Sequence, residues 1–433
     1  MNQLIGLAKK LSGTLTVPGD KSISHRGLIF GALAKGKTEV IDILESEDVQ
    51  STARCLSQLG VQIEKVGRST WVTGCGLEGF KNPTAELDCG NSGTTMRLMM
   101  GVLAASKVHC TLTGDASLSK RPMKRVAEPL RKMGAKIKLT NENVSPLDIQ
   151  GCALRGTDYQ LKIASAQIKS AILLAGLFAQ GKTRIFGEIH SRDHTERMLN
   201  LFGARVHSGC ALGQDFVEIE AGQVLSAARV QVPGDPSTAA FWMAASCLVP
   251  NSRVVIEKIS LNESRIGFIR VLERMGANIS FKIESGGSRD SEPVGTVTVE
   301  SSQLKGVHVK ASEIPALIDE IPLLAVLASQ ASGITDVDGA EELRVKESDR
   351  LEAVATNLRS MGCVIETKQD GFIIKGKQEL KGAKIETFHD HRIAMAFSVA
   401  GLVAQGETLI QGAECVAVSY PGFYEALNQL RKE

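Results

Sequence analysis

The residues that could do chemistry gather in short loops. GDKSISHR places Lys21, Ser22, His25 and Arg26 at a predicted helix start. Unpaired backbone N–H groups and the positive end of the macrodipole already favour anions there, and cations oppose it. Lysine and arginine in that first turn point to a bound anion that offsets the repulsion, with a solvated basic turn as the competing reading. GNSGTTMR, from Gly90 to Arg97, brings two glycines and several hydroxyls to another helix start. It could cradle a phosphate or carboxylate on backbone N–H groups, although it lacks a P-loop lysine. SLSKRPMKR packs Lys120, Arg121, Lys124 and Arg125 together, a run that more often forms a solvated face.

In the second half, Asp319 and Glu320 interrupt the apolar segment ALIDEIPLLAV. A carboxylate there is desolvated or ion-paired, and either condition shifts its pKa in ways that suit acid–base work. ELRVKESDR adds Arg344, Lys346, Glu347, Asp349 and Arg350, and HDHRIAM adds Asp390, His391 and Arg392. Taken singly, each cluster reads as an exposed salt-bridge network. Their recurrence at equivalent places in both halves argues for a common task, in which facing domains would gather them in one cleft around two anionic small molecules.

Something must hold these loops in register, and the chain repeats itself. An apolar helix pattern, a small-residue turn and a β-branched strand recur six times. The copies are SISHRGLIFGALAKGKTEVI from Ser22, NSGTTMRLMMGVLAASKVHCTL from Asn91, SAQIKSAILLAGLFAQGKTRIF from Ser165, STAAFWMAASCLVPNSRVVI from Ser237, IDEIPLLAVLASQASGITDV from Ile318 and DHRIAMAFSVAGLVAQGETLI from Asp390. A second, amphipathic piece follows in LSQLGVQIE, LRKMGAKIK, LNLFGARVH, LERMGANIS and LRSMGCVIE, with Gly60, Gly134, Gly203, Gly276 and Gly362 where a helix C-cap takes positive φ. The sixth copy ends early, at ALNQLRKE.

Spacing of roughly 70 residues exceeds that of solenoids and suggests compact βαβαββ units. The first helix of each, apolar all round, should be buried, and the second should keep a charged face in water. VPGDKS from Val17 and VPGDPS from Val232 divide the chain into halves of three repeats. Pro-Gly is turn chemistry suited to a crossover between domains, two matching surface turns being the plainer alternative. The expectation is an α/β protein with one domain over 18–233 and a second, discontinuous one over 1–17 and 234–433.

Composition narrows the partners. At 433 residues two or more domains are the natural expectation. Fifty Lys+Arg nearly cancel 48 Asp+Glu and aromatics are 4%, so no nucleic-acid footprint is visible. Nine cysteines without a CxxC pair or zinc spacing read as reduced thiols, which fits the cytosol. No export signal is evident in MNQLIGLAKKLSGTLTVPGD, and the most apolar stretches are too short for a membrane span.

DKSISHR, GNSGTTMR, SKRPMKR, ASAQIKS, SRDHTER, LIDEIP, LRVKESDR and DHRIAMAF, collinear from about Gly13 to Tyr420, resemble the 5-enolpyruvylshikimate-3-phosphate (EPSP) synthase family. The resemblance implies a two-domain inside-out α/β barrel, each domain built from three βαβαββ units that close on the substrates. It implies transfer of the enolpyruvyl group of phosphoenolpyruvate (PEP) to the 5-hydroxyl of shikimate 3-phosphate, with release of phosphate, on the way to chorismate and the aromatic amino acids. A cytoplasmic monomer acting on these two small molecules, with neither nucleic acid nor membrane as partner and with no metal or organic cofactor, is the matching expectation. Position by position, the family's shikimate 3-phosphate contacts fall on Lys21, Ser22, Arg26, Ser165, Ala166, Gln167, Arg192, Asp319 and Lys346. Its PEP contacts fall on Lys21, Asn91, Gly93, Arg121, Gln167, Arg350 and Arg392. Asp319 corresponds to the base for the 5-hydroxyl, and Glu347 and Lys21 to the candidate proton donors.

Two positions depart from one branch of the family. That branch reads Ser-Ser-Gln where Ser165, Ala166 and Gln167 stand, so one hydroxyl contact is missing or replaced through Arg192. It has a lysine where Val418 aligns, which removes a PEP contact. Both changes are familiar from another bacterial branch. Gly93 keeps the small residue associated with sensitivity to glyphosate, a PEP competitor. The sister transferase acting on UDP-N-acetylglucosamine is the nearest alternative, but it uses a loop cysteine, and none lies near SKRPM. A non-catalytic binder of phosphorylated metabolites is the other, against which Asp319, Glu347 and Lys21 speak.

Overall fold

Each apolar copy becomes a helix, most of them started by an oxygen-bearing side chain. In a computed structural model, which describes residues 1–211 and 213–432 (Lys432 by its backbone), the helices are α1 (Lys21–Leu33), α2 (Glu47–Gln58), α3 (Gly93–Ala104), α4 (Lys124–Lys132), α5 (Ala166–Gly176), α6 (His194–Leu201), α7 (Pro236–Leu248), α8 (Gly267–Arg274), α9 (Ile321–Gln330), α10 (Arg350–Ser360), α11 (His391–Gly401) and α12 (Phe423–Leu430). Asp20, Ser92, Ser165, Asp235 and Asp390 accept a first-turn N–H at α1, α3, α5, α7 and α11, which satisfies a donor the helix cannot. These five helices and α9 are buried on nearly every side, whereas helices such as α2, α4 and α8 bury one face only. The five predicted cap glycines all lie at positive φ, between +80° and +99°, each donating its N–H to the carbonyl three residues back.

Six small sheets form among the described residues, and most follow one plan. In the second repeat, Leu87–Asp88 leads through α3 to a parallel partner, His109–Thr113. Val144–Gln150 adds antiparallel to that partner and Lys136–Thr140 closes the edge. The order is βαβαββ.

Two sheets take their first strand from elsewhere in the chain. Lys10–Thr16 precedes α1 but pairs with Arg253–Ser260, while Arg229–Gln231 precedes α7 but pairs with Lys35–Ile41. Each VPGD turn thus follows a strand that belongs to one half and leads a helix into the other. The sixth copy does end early, its sheet having three strands among the described residues. Asn2–Ile5 supplies its third strand by pairing with Thr408–Gln411, because a ladder needs a hydrogen-bonding edge, not sequence order.

The chain divides into two compact units, one of Met1–Pro18, Pro233–Gly286 and Pro293–Glu433 and one of Gly19–Val232 with Gly287–Glu292. Each holds three sheets and its own apolar core. The six residues Gly287–Glu292, which the sequence reading left with the C-terminal half, belong with Gly19–Val232. No helix of the described residues is long and apolar enough to cross a membrane.

Helices α3 and α5 touch backbone to backbone. A Cβ on Gly101 would stand 2.3 Å from the Ala171 carbonyl oxygen. Gly101→Ala therefore lowers stability by about 1–3 kcal/mol, although alanine favours a helix by roughly 1 kcal/mol. A urea midpoint equal to or above that of the wild type would refute this close fit.

Candidate active site

Within the Gly19–Val232 unit the starts of α1, α3 and α5 are hydrogen-bonded to one another and to α2 and α6. Arg26, on α1, is buried and donates through Nε to Thr195 Oγ1 at 2.7 Å and through Nη2 to Ser170 Oγ at 2.7 Å. Nη1 returns to the Ser22 carbonyl at 2.9 Å. Burial lowers the Arg26 pKa to about 10, the carboxylates of Glu196 and Asp20 pulling the other way, so the guanidinium stays charged at neutral pH. Lys21 Nζ meets Asp48 at 3.0 Å.

His25 is buried, and its Nδ1 lies 2.7 Å from Thr52 Oγ1. Thr52 continues to Thr95 at 2.7 Å, and Thr95 donates to Ser92, the cap of α3. Burial first, and then Lys21 and Arg26, hold the imidazole well below its ordinary pKa, so it is neutral at pH 7.

On α3 and its approach, the Asn91 side chain accepts from Arg121 Nη2 at 2.7 Å and donates to Asp115 at 2.6 Å. Gly93 faces two cations, since a Cβ there would lie 3.0 Å from Arg97 Nη1 and 3.6 Å from Arg121 Nη1. Ser165 caps α5, Ala166 begins it, and Gln167 accepts from Arg97 Nη1 at 2.6 Å while donating to Thr94 at 3.0 Å. Arg192 is half-buried, and its charge lowers the Arg26 pKa. The result is a set of cations and helix N-termini able to receive phosphate and carboxylate oxygens.

In the other unit the second set surrounds Arg350, which is buried at the start of α10. It reaches three carboxylates: Asp390 at 2.8 Å through Nε, Glu347 at 2.6 Å through Nη2 and Asp319 at 3.3 Å through Nη1. Burial alone would lower the Arg350 pKa, and these three charges more than reverse it. Burial alone would raise Asp390, but Arg350 outweighs it, so the carboxyl titrates below its usual range. Arg392, whose backbone N–H is capped by Asp390 at 2.9 Å, reaches Asp319 Oδ2 at 3.5 Å. Asp319 is thus a carboxylate between two guanidiniums at the approach to α9. Lys346 is half-buried beside Glu347, and Val418 is half-buried at the end of the turn Ala413–Val418.

Three sequence readings need correction. The SKRPMKR run is not a uniform solvated face: Lys120 and Lys124 are exposed, but Arg121 is buried against Asn91. Arg344 and Asp349, grouped with the candidate cluster, pair with each other at 2.8 Å, and Arg344 also ties down the Gln369 and Lys368 carbonyls. They fasten the turn before α10. Arg97 was overlooked. Its signal was present, because Arg26 and Lys169 stand four residues after the serine that opens their copies and Arg97 six after Asn91, each on a largely apolar helix. Lys169 pairs with Glu196 at 2.6 Å, both nearly buried.

Among the described residues, Asp193, His194 and Glu292 form one group with ligand atoms close enough for a metal, and His308, Asp336 and Asp338 another. His194 and Glu292 instead hydrogen-bond each other at 2.6 Å, and Lys368 sits against both aspartates of the second group.

Fold and site together define a protein of repeated βαβαββ architecture whose two units each present charged side chains at buried-helix N-termini. The family described as EPSP synthase (3-phosphoshikimate 1-carboxyvinyltransferase) matches residues 6–427. A protein of Bacillus thuringiensis (strain Al Hakam) named 3-phosphoshikimate 1-carboxyvinyltransferase is 48% identical over 423 residues, covering 98% of this chain and 97% of its own. One of the same name from Bacillus cytotoxicus is 47% identical, with 98% of each chain covered. The solved EPSP synthase of Acinetobacter baumannii superposes with a TM-score of 0.86 at 42% identity, covering 99% of this chain and 98% of that one. The chain belongs to the EPSP synthase family of enzymes and has its two-domain inside-out α/β fold.

Proposed function

We propose that this chain transfers the enolpyruvyl group of PEP to the 5-hydroxyl of shikimate 3-phosphate and releases phosphate. The observation that carries the reading is Asp319, a carboxylate 3.3 Å from Arg350 and 3.5 Å from Arg392, which sets a base beside two anion-binding guanidiniums. Family membership supports it and disfavours the UDP-N-acetylglucosamine alternative.

Two phosphates and two carboxylates must be held side by side, which is work for bidentate arginines and lysines. Lys21, Ser22, Arg26, Ser165, Ala166, Gln167 and Arg192 take shikimate 3-phosphate from one unit, with Asp319 and Lys346 from the other. Lys21, Asn91, Gly93, Arg121, Gln167, Arg350 and Arg392 take PEP. Asp319 accepts the 5-hydroxyl proton as that oxygen attacks the substituted carbon of PEP, and Glu347 or Lys21 protonates the methylene carbon. Loss of phosphate then returns a proton from that carbon and restores the double bond. Addition and elimination of this kind need neither metal nor organic cofactor. We further place the chain in the cytoplasm as a monomer, the cytoplasm being supported by nine free cysteines.

The test is phosphate release from PEP that depends on shikimate 3-phosphate, with the enolpyruvyl ether identified by mass. Binding without release would leave only the non-catalytic alternative, and release driven by UDP-N-acetylglucosamine would favour the sister activity. Glyphosate is expected to inhibit competitively with PEP. Gly93→Ala, whose methyl must displace Arg97, should weaken that inhibition by about tenfold or more and raise the PEP KM. Unchanged wild-type turnover in millimolar glyphosate would contradict the expectation.

A further inference from the structure

The segment Gly287–Glu292 belongs with Gly19–Val232, although the strands flanking it, Asn278–Ser285 and Val294–Glu300, belong to the other unit. It is bonded along α6. Arg197 Nη1 donates to the Ser288 and Ser291 carbonyls at 2.8 and 2.9 Å, and Asn200 Nδ2 to the Arg289 carbonyl at 3.3 Å. His194 Nδ1 and Glu292 Oε1 lie 2.6 Å apart, with side chains 0% and 9% exposed. This last contact is the buried one.

His194 opens α6, and the next residues of that helix bear on the sugar-phosphate side chains. Thr195 accepts from Arg26 Nε at 2.7 Å and lies 2.6 Å from Ser170 Oγ. Glu196 pairs with Lys169 at 2.6 Å, and Lys169 donates to the carbonyls of Ile189 and Ser191 in the turn that leads to Arg192. The first turn of α6 therefore sets both the plane of the Arg26 guanidinium and the loop that carries Arg192.

We propose that Glu292 is a positioning residue for the sugar-phosphate part of the site: by holding His194 it fixes the first turn of α6, and with it Thr195 against Arg26 and the Arg192 loop. This rests on the shikimate 3-phosphate reading given above. Charge alone would argue against the placement. A carboxylate whose field reaches Arg26 repels an incoming phosphate dianion, so what Glu292 contributes to binding is geometry.

Steady-state kinetics of the full chain separate the two effects. Glu292→Ala should raise the KM for shikimate 3-phosphate about tenfold or more and leave the PEP KM within about twofold. Glu292→Gln, which keeps an oxygen for the His194 N–H and loses the charge, should recover most of that loss. Arg197→Ala, which frees the tip but leaves Glu292 in place, should move the same KM in the same direction by less, and it decides the matter if Glu292→Ala does not fold. A shikimate 3-phosphate KM unchanged or lowered in these variants overturns the proposal, as does an equal rise in both KM values that tracks loss of folded protein. Wild-type turnover tests the underlying reading separately: its absence sinks that reading, whereas flat variant-to-wild-type ratios sink only the role of Glu292.

Discussion

Asp319→Ala should lose phosphate release by a factor of about 10²–10⁴ without losing PEP affinity. In the proposed mechanism this carboxylate takes the hydroxyl proton, and it also occupies one contact of Arg350 and one of Arg392. Removing it deletes the base and leaves both guanidiniums to the anionic substrate, so the PEP KM should hold or fall while kcat collapses. Asp319→Asn, similar in shape and unable to act as a base, should show the same kcat loss. A decrease of less than about tenfold in either variant would remove Asp319 from that role.

Arg350→Met should cost more in stability than any other single change at the site. One buried guanidinium contacts Asp390, Glu347 and Asp319, and Asp390 is itself buried. Removing one partner of a buried ion pair costs about 3–5 kcal/mol, because the buried Asp390 carboxylate loses the guanidinium that offsets its burial. Turnover should be lost as well. Arg350→Lys should not rescue it, since an ammonium cannot reproduce three separate guanidinium contacts.

The pH dependence gives the mechanism away. In the wild type Asp390 titrates below its unfolded value, so its contribution to stability is present above about pH 4 and is lost as the pH falls through the folded pKa. Without Arg350, burial dominates and raises Asp390 above its unfolded value. The folded variant then binds the extra proton, and its deficit relative to the wild type shrinks as the pH drops from 7 towards 5. Thermal midpoints of both proteins across that range check this. A gap that stays constant or widens would show that Arg350 does not hold the Asp390 charge.

Much of the fold was legible because its signals are local. A Ser or Asp cap, an apolar run, a glycine that accepts positive φ and a β-branched strand are each decided within about one or two turns of chain, and they recur. The cations of DKSISHR were legible for a similar reason, being the wrong charge for a helix start. Arg97 was harder to see. A single arginine on an apolar helix acquires meaning only beside Gln167, 70 positions away.

By itself, then, the sequence determined the repeat, the order of elements within it and the kinds of charge gathered at the helix starts, since these depend on neighbours in the chain. Tertiary structure decided what depends on neighbours in space. It chose Asn2–Ile5 to complete the last sheet, exchanged strands at the two VPGD turns, and set Asp319 and Asp390, 31 and 40 residues from Arg350, on one guanidinium. It also brought Glu292 to His194 across 98 residues. Ladder hydrogen bonds and buried ion pairs are satisfied by proximity and geometry alone, so the same local signals are compatible with many pairings until the cores close around one of them.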